Sequence, residues 1–385
     1  MLETKLLRNL QRINKSVVRK RENFEKTSTS SHIWHQVVES QEQGLQKRLI
    51  IILNSRGCSH AVNNTGPCFN CGLVTASNQE EAISCAETEE QIERILKTQD
   101  FAGENITELD LFNAGSLLND WQVSPEIRSM LFEKIGRINS VEDILIDSRP
   151  EDVDEKKLLQ IKDKIGQRRL WIGIGLETAD DTIRNFCINK NFLLNDFEEA
   201  VDVLKSCDAH LFSYVMFKPA ILTEREAIDD AVNTIRYLSD LSSGKDIALR
   251  ISLEPGVVQG DCLLTSMYAN GLYTTPWLWS VVRVIFETHE YSGDRLRVGI
   301  PEEVPRVLDR RRNYDEKGET CACSASVEHC IAGYNKTKKL SAFNNLPKCE
   351  CEKRWKVLLE EEGNGGKRTL EERAIEVVSK LGNSD

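Results

Sequence analysis

Arg48-Leu-Ile-Ile-Ile-Leu-Asn54, followed shortly by Cys58-Ser-His-Ala-Val-Asn-Asn-Thr-Gly-Pro-Cys68-Phe-Asn-Cys71-Gly72, is the stretch on which the reading of this chain turns. Its first half is a short unbroken apolar run, the pattern of a strand buried on both faces of a parallel sheet. Its second half is a long loop carrying three cysteines with the spacing C-x9-C-x2-C. Three thiolates at the C-terminal end of a strand suit an iron–sulfur cluster in which one iron stays open to another ligand. Gly57, Gly66 and Gly72 supply turns for folding such a loop around an inorganic core. Zinc is the competing reading, with His60 as fourth ligand.

Working outward, the chain alternates between strand and helix patterns. Residues 91–98 read as helix, 107–113 as strand, 125–136 as helix, 141–147 as strand and 153–164 as a charged helix. Residues 170–176 form a strand interrupted by Gly173 and Gly175, with helices following to Ser206. Strands over 210–217 and 247–253 flank a helix over 224–239. Six strands separated by helices call for a parallel α/β sheet with right-handed crossovers, and periodicity alone leaves open whether that sheet is flat or curled. Five regions follow: a basic helical leader over 1–47 with a Ser/Thr-rich break at 27–31, the α/β unit over 48–254, helices and a short strand (296–300) within 255–303, a cysteine-rich basic segment over 304–356, and an acidic terminal helix or tail over 357–385.

The bulk numbers bound the class. The 385 residues are 40% hydrophobic and 29% charged, the composition of a globular protein. The basic, polar leader is no secretory signal, and runs such as 49–53 are too short to cross a bilayer, so a cytoplasmic protein with no membrane partner is expected. In a reducing compartment, clustered cysteines point to metal or redox chemistry. Eight of the twelve cluster as Cys58, Cys68, Cys71 and as Cys321, Cys323, Cys330, Cys349, Cys351, while Cys85, Cys187, Cys207 and Cys262 are scattered and read as apolar packing. The net charge of −11 is uneven, with residues 1–30 and 304–356 each at net +5. The two basic regions read either as solvated faces or as a phosphate-binding footprint.

The x9-then-x2 spacing resembles the radical S-adenosylmethionine (SAM) domain of the Elongator catalytic subunit and its relatives. The resemblance implies a partial (β/α)6 TIM-like barrel with a C-terminal cysteine-rich accessory region. It implies that Cys58, Cys68 and Cys71 bind three irons of a [4Fe–4S] cluster whose fourth iron is chelated by SAM. Reductive cleavage of SAM then yields a 5′-deoxyadenosyl radical that abstracts hydrogen from the substrate, with an electron donor of flavodoxin or ferredoxin type. Further positions match on this reading. Asn113, Gly115 and Ser116, in Asn113-Ala-Gly-Ser116, would hold the SAM amino group. Ser148 and Arg149, in Asp147-Ser-Arg-Pro150, would face its carboxylate. Gly175 and Glu177, in Ile174-Gly-Leu-Glu-Thr178, would border the cofactor. Structural ion pairs at the barrel rim are the alternative for Arg149 and Glu177. Asp147 stands where relatives have Glu, and Asn191 where Gly is usual.

Later features narrow the resemblance. Phe217-Lys218-Pro219 with Glu224 and Glu226, Tyr273-Thr-Thr-Pro276-Trp277-Leu-Trp279-Ser280, and Cys321-x-Cys323-x6-Cys330 with Cys349-x-Cys351-x3-Trp355 are similar to the family of the radical SAM subunit of archaeosine synthase. That family implies tRNA and a lysine-transferring tRNA enzyme as partners, and conversion of a lysine-bearing deazaguanine to archaeosine. From the residues themselves, Cys321, Cys323, Cys349 and Cys351 are expected to form a second metal site with Cys330 as alternative member, for zinc or an auxiliary Fe–S cluster, unligated cysteines being the other reading. Trp277 and Trp279 read as core packing or as a stacking platform for a base. Two further functions stay open: a radical SAM enzyme acting on a small molecule or peptide, and a non-enzymatic zinc-binding RNA adaptor.

Overall fold

The apolar run around Ile50 is the second strand of an eight-stranded sheet in which seven strands run parallel. The computed structural model describes residues 2–19, 32–40, 44–73, 81–299, 307–363 and 368–382. The strands are β1 (His32–Ser40), β2 (Gly44–Ile52), β3 (Ile106–Phe112), β4 (Asp143–Ser148), β5 (Arg169–Glu177), β6 (His210–Phe217), β7 (Leu249–Pro255), β8 (Val258–Gln259), β9 (Leu296–Val298) and β10 (Val307–Asp309). The sheet order is β1-β2-β3-β4-β5-β6-β7-β9, and β8 pairs separately with β10. The helices are α1 (Leu2–Arg19), α2 (Ser59–Val62), α3 (Cys85–Thr98), α4 (Pro125–Ile135), α5 (Glu155–Ile165), α6 (Leu194–Ser206), α7 (Glu224–Lys245), α8 (Leu263–Ala269), α9 (Leu278–Ser292), α10 (Ser324–Thr337), α11 (Glu350–Gly363) and α12 (Leu370–Leu381). This is the partial barrel expected for the radical SAM fold.

The period-2 alternation of strands explains the barrel's two faces. On β2, Leu49, Ile51 and Leu53 join the main core, whereas Arg48, Ile50 and Ile52 face an interior cavity. On β5, Leu170, Ile172, Ile174 and Leu176 pack outward, and Gly173, Gly175 and Glu177 face in. A small apolar plug of Leu145, Trp171 and Phe212 closes the N-terminal end of the interior. Arg250 stacks on Trp171 (4.0 Å) and Arg297 on Phe212 (4.7 Å), so the plug's rim is cationic.

Three expectations need adjustment. Residues 32–40, read as part of a helical leader, form β1 instead, antiparallel to β2 from Ser40 opposite Gly44 to His32 opposite Ile52. His-Ile-Trp-His-Gln-Val-Val is rich in β-branched and aromatic residues, and the edge of β2 gives it a ladder to join. The acidic C-terminal region is not a free tail: α12 packs on α1 and buries Ala374 and Val377. α11 also runs across the expected boundary at residue 357. The break at 27–31, Ile300 and the glycines at 365–366 lie outside the described residues. No described helix is long and apolar enough to cross a membrane.

One buried acid marks the outer side of the sheet. Asp230 of α7 accepts from Thr178 Oγ1 (2.6 Å), at the end of β5, and its Oδ2 has no hydrogen-bond partner among the described residues. Burial raises its pKa from the ordinary 3.8 to about 7. The fold therefore binds a proton that the unfolded chain releases, and stability falls as pH rises from about 3.8 to about 7, by at most about 4 kcal/mol. Asp230→Asn is expected to flatten this dependence, read as a smaller Tm difference between about pH 5 and about pH 8 than in the wild type.

Candidate active site

The loop after β2 is clamped from two sides. Asn63 Oδ1 accepts from the backbone N–H groups of Thr65 (2.9 Å) and Gly66 (2.8 Å), tightening the middle of the loop. A Cβ on Gly66 would sit 1.7 Å from the His60 carbonyl oxygen, so no other residue fits there. Asn189, after the π-helical turn at Ile183–Ile188, donates from Nδ2 to the carbonyls of Thr65 (2.6 Å) and Pro67 (2.8 Å). Its own carbonyl accepts from His60 Nε2 (2.7 Å), and its Oδ1 accepts from Gln11 of α1 (2.9 Å). Asn14 of α1 also donates to Pro67 (3.0 Å) while accepting from the Leu263 N–H (2.7 Å). The leader helix, with Leu6, Leu10 and Ile13 buried, is thus a brace for the loop.

His60 is fully used in this clamp. Its Nδ1 accepts from Asn63 Nδ2 (3.2 Å), and burial, with Arg149 nearby, lowers its pKa to about 4. Both ring nitrogens are engaged within the loop's hydrogen bonds, which counts against the competing reading of His60 as a zinc ligand. Asn189 itself has φ 65°, a left-handed conformation open to Gly and Asn at little cost. Asn189→Gly is expected to lower stability by about 1–3 kcal/mol through unsatisfied loop carbonyls. Asn189→Ala should cost about 1 kcal/mol more through backbone strain. Urea titration of both variants reads the difference, and equal losses would remove strain from the account. Asn191, where the family resemblance predicts Gly, has φ 60°, so asparagine satisfies the same backbone requirement.

A cavity of about 370 Å³ opens at the C-terminal ends of the strands. Cys58, Cys68 and Cys71 line it, together with Asn113, Gly115, Ser148, Arg149, Gly175 and Glu177. Ser116 is fully buried behind the wall, where its hydroxyl bonds that of Ser148 (3.2 Å). Arg149 is fixed by Nε donating to Glu151 (2.5 Å) and Nη2 to the Lys190 carbonyl (2.7 Å). Glu177 pairs with Lys190 at 2.8 Å. Both charged residues therefore make the rim ion pairs of the alternative reading, and both remain on the cavity wall. Asp147, on the cavity wall, accepts from Tyr214 OH (2.9 Å), and burial pushes its pKa up to about 7.

The donor set fits a cluster with an amino-acid-type ligand beside it. Burial raises all three thiols, and burial with the added repulsion of Cys68 and Cys58 takes Cys71 up to about 12, so three thiolates here require positive charge among them. Irons would supply it. Asn113 donates from Nδ2 to Ser55 (3.2 Å), leaving Oδ1 buried on the cavity without a hydrogen-bond partner among the described residues, an acceptor suited to an ammonium group. A Cβ at Gly175 would come within 2.5 Å of Glu177 Oε1 and Lys190 Nζ, so its absence leaves a cradle on the wall.

The other motifs are structural. Lys218, with φ 64°, pairs with Glu224 at 2.7 Å and donates to Thr274 (3.0 Å), while Glu224 accepts from the Trp277 N–H (2.9 Å). Glu226 closes a capping box with Thr223 on α7 and pairs with Arg373 of α12. Trp277 and Trp279 are buried, with Trp279 Nε1 donating to Cys351 Sγ (3.2 Å). They pack rather than present a platform.

Comparison with known proteins adds independent support. No protein-family model matches the chain. Archaeosine synthase subunit beta of Methanosarcina acetivorans is 28% identical over 316 residues, 82% of this chain and 85% of that protein. Its namesake in Thermococcus kodakarensis is 27% identical over 324 residues, 81% and 91% of the two chains. The chain is thus similar to archaeosine synthase subunit beta along most of its length. An uncharacterized protein of Methanocaldococcus jannaschii is 26% identical over 338 residues, 86% and 87% of the two chains. Among solved structures, Elp3 of Methanocaldococcus infernus aligns with a TM-score of 0.46 at 14% identity, over 66% of this chain and 58% of that one. Two parts of this site escaped the sequence reading: the Asn189 clamp and Arg311, which reaches the cavity from beyond the barrel. The only available signal was that Asn189-Lys190-Asn191 sat at a family position; its contacts lie more than 120 residues away in sequence.

Proposed function

We propose that the chain holds a [4Fe–4S] cluster on Cys58, Cys68 and Cys71, binds SAM beside it, and acts on a lysine-bearing deazaguanine in tRNA to give archaeosine. The carrying observation is that the three thiols, Asn113 Oδ1, without a hydrogen-bond partner among the described residues, and the buried Arg149 share one cavity. When bound, the cluster and SAM supply a 5′-deoxyadenosyl radical capable of taking hydrogen from carbon. The chain's residues do the rest. Asn113 Oδ1 would accept from the ammonium group of SAM, and Arg149, held by Glu151 and the Lys190 carbonyl, would pair with its carboxylate. Asp147 can hold or release a proton at its carboxyl near neutrality. The apolar plug of Leu145, Trp171 and Phe212 keeps water out from below.

The substrate assignment is supported by the names of the two full-length relatives. Their being named as a subunit supports a partner, in this proposal a lysine-transferring tRNA enzyme, with a flavodoxin- or ferredoxin-type reductant. The test is anaerobic reconstitution with dithionite, SAM and tRNA carrying the lysine-modified base. Expected products are 5′-deoxyadenosine and the archaeosine nucleoside, both read by mass spectrometry. Cleavage of SAM with unchanged tRNA would move the reading to a small-molecule or peptide substrate. Protein that retains zinc but neither iron nor sulfide would leave the RNA adaptor.

A further inference from the structure

Away from the cavity, the turn before α10 and the start of α11 bring four sulfur atoms together. The Sγ atoms of Cys321, Cys323, Cys349 and Cys351 all lie within 4.8 Å of one another. Cys321 and Cys349 are 3.4 Å apart, and Cys323 and Cys351 are 3.2 Å apart. Four thiolates on one tetrahedral ion, with metal–sulfur bonds of about 2.3 Å, stand roughly 3.8 Å from each other. A cubane cluster places its own iron and sulfide between its ligands and needs them further apart. Two buried donors aim at this sulfur group: Trp279 Nε1 at Cys351 (3.2 Å) and Asn313 Nδ2 at Cys323 (3.4 Å). N–H groups directed at sulfur from outside the ligand set are what metal-bound thiolates accept. Cys330 is buried but is not one of the four.

We propose that Cys321, Cys323, Cys349 and Cys351 bind a single divalent ion of the zinc class in a closed, non-redox site, rather than an auxiliary iron–sulfur cluster. Each thiol that binds releases its proton to solvent. The ion ties α10 and α11 to the start of α9, and so fixes a wall of the radical SAM cavity. Asn313, which donates to Cys323, also accepts from the Trp279 N–H (3.2 Å). Nearby in sequence, Arg311 lines the cavity, donates to the Gly299 carbonyl (2.8 Å) and is forked by Glu328 of α10 (2.8 and 2.9 Å). The second metal site itself is part of the reading above; its identity and role extend that reading, and neither depends on what the loop of Cys58 holds.

Metal and acid-labile sulfide are counted in anaerobically purified wild type and in the Cys58/Cys68/Cys71 triple alanine variant. One zinc per chain is expected in both, with sulfide in the wild type only. Protein grown on cobalt should display the ligand-field bands of tetrahedral thiolate cobalt. Cys351→Ser should lose the zinc and keep the iron; if it fails to fold, the triple variant and the cobalt spectrum still decide. Iron with sulfide persisting in the triple variant would overturn the proposal in favour of a cluster, and metal-free protein with four titratable C-terminal thiols would overturn it outright. Zinc in both proteins with no sulfide in either would sink the cluster reading and leave this one standing.

Discussion

Replacing Cys58, Cys68 or Cys71 with alanine is expected to bring 5′-deoxyadenosine formation down to background in anaerobically reconstituted protein. Each thiol is taken to hold one iron, and the loop offers no substitute. His60, the nearest other ligand type, spends both ring nitrogens on Asn189 and Asn63. The thiols are buried and pushed upward in pKa, so losing one leaves two thiolates without the charge balance that an intact cluster provides. Iron and sulfide content should fall with activity while the far-ultraviolet circular dichroism stays unchanged, because Asn63, Asn189 and Asn14 hold the loop independently of metal. Cys349→Ala, by contrast, should leave the loop's iron in place and act on stability and substrate docking. Wild-type activity from a triple variant would remove the loop from the chemistry; equal loss of SAM cleavage from both cysteine groups would remove the division between them.

The second large effect is expected from breaking the Lys218–Glu224 pair. Both side chains are almost fully buried and lie 2.7 Å apart. A buried charge left without its partner costs about 3–5 kcal/mol, whereas replacing both members with apolar groups is often close to neutral. Lys218→Met is therefore expected to destabilise the protein by about 3–5 kcal/mol, and the double variant Lys218→Met/Glu224→Leu by less than the two single changes together. Denaturant titration measures both. Glu224 also accepts from the Trp277 N–H, so part of its own truncation cost is an orphaned backbone donor. The Lys218 carbonyl accepts from Tyr273 OH (2.9 Å), and the Gly256 N–H donates to Phe217 (2.8 Å), so this latch joins the end of β6 to the β7 wall of the cavity. Additive single and double changes would mean that the two charges do not sense each other.

The fold was largely legible because parallel strands buried on both faces leave continuous apolar runs, and their alternation with helices leaves little freedom of topology. The main exception, β1, shows where local pattern yields to pairing: residues 32–40 can be strand only because β2 offers an edge. The cysteine loop was legible for a different reason. The three cysteines that line the cavity fall within a single loop, so their spacing survives in the linear sequence. Arg149 and Glu177, read from the sequence as SAM-binding or as rim ion pairs, both line the cavity, and their engagement with Glu151 and Lys190 depends on neighbouring strand ends meeting.

By itself, then, the sequence determined the α/β alternation, the three-cysteine loop, and the pairing of two C-x-C arms, since each is encoded by residues close along the chain. Only the tertiary structure decided that the leader helix braces the cysteine loop through Gln11 and Asn14, that both ring nitrogens of His60 are spent on Asn189 and Asn63, and that Cys330 stands apart from the other four. It also decided that Arg311 enters the cavity from the cysteine-rich segment. These depend on contacts between residues far apart in sequence, whose distances are set by helix packing and sheet closure and leave no local pattern to read.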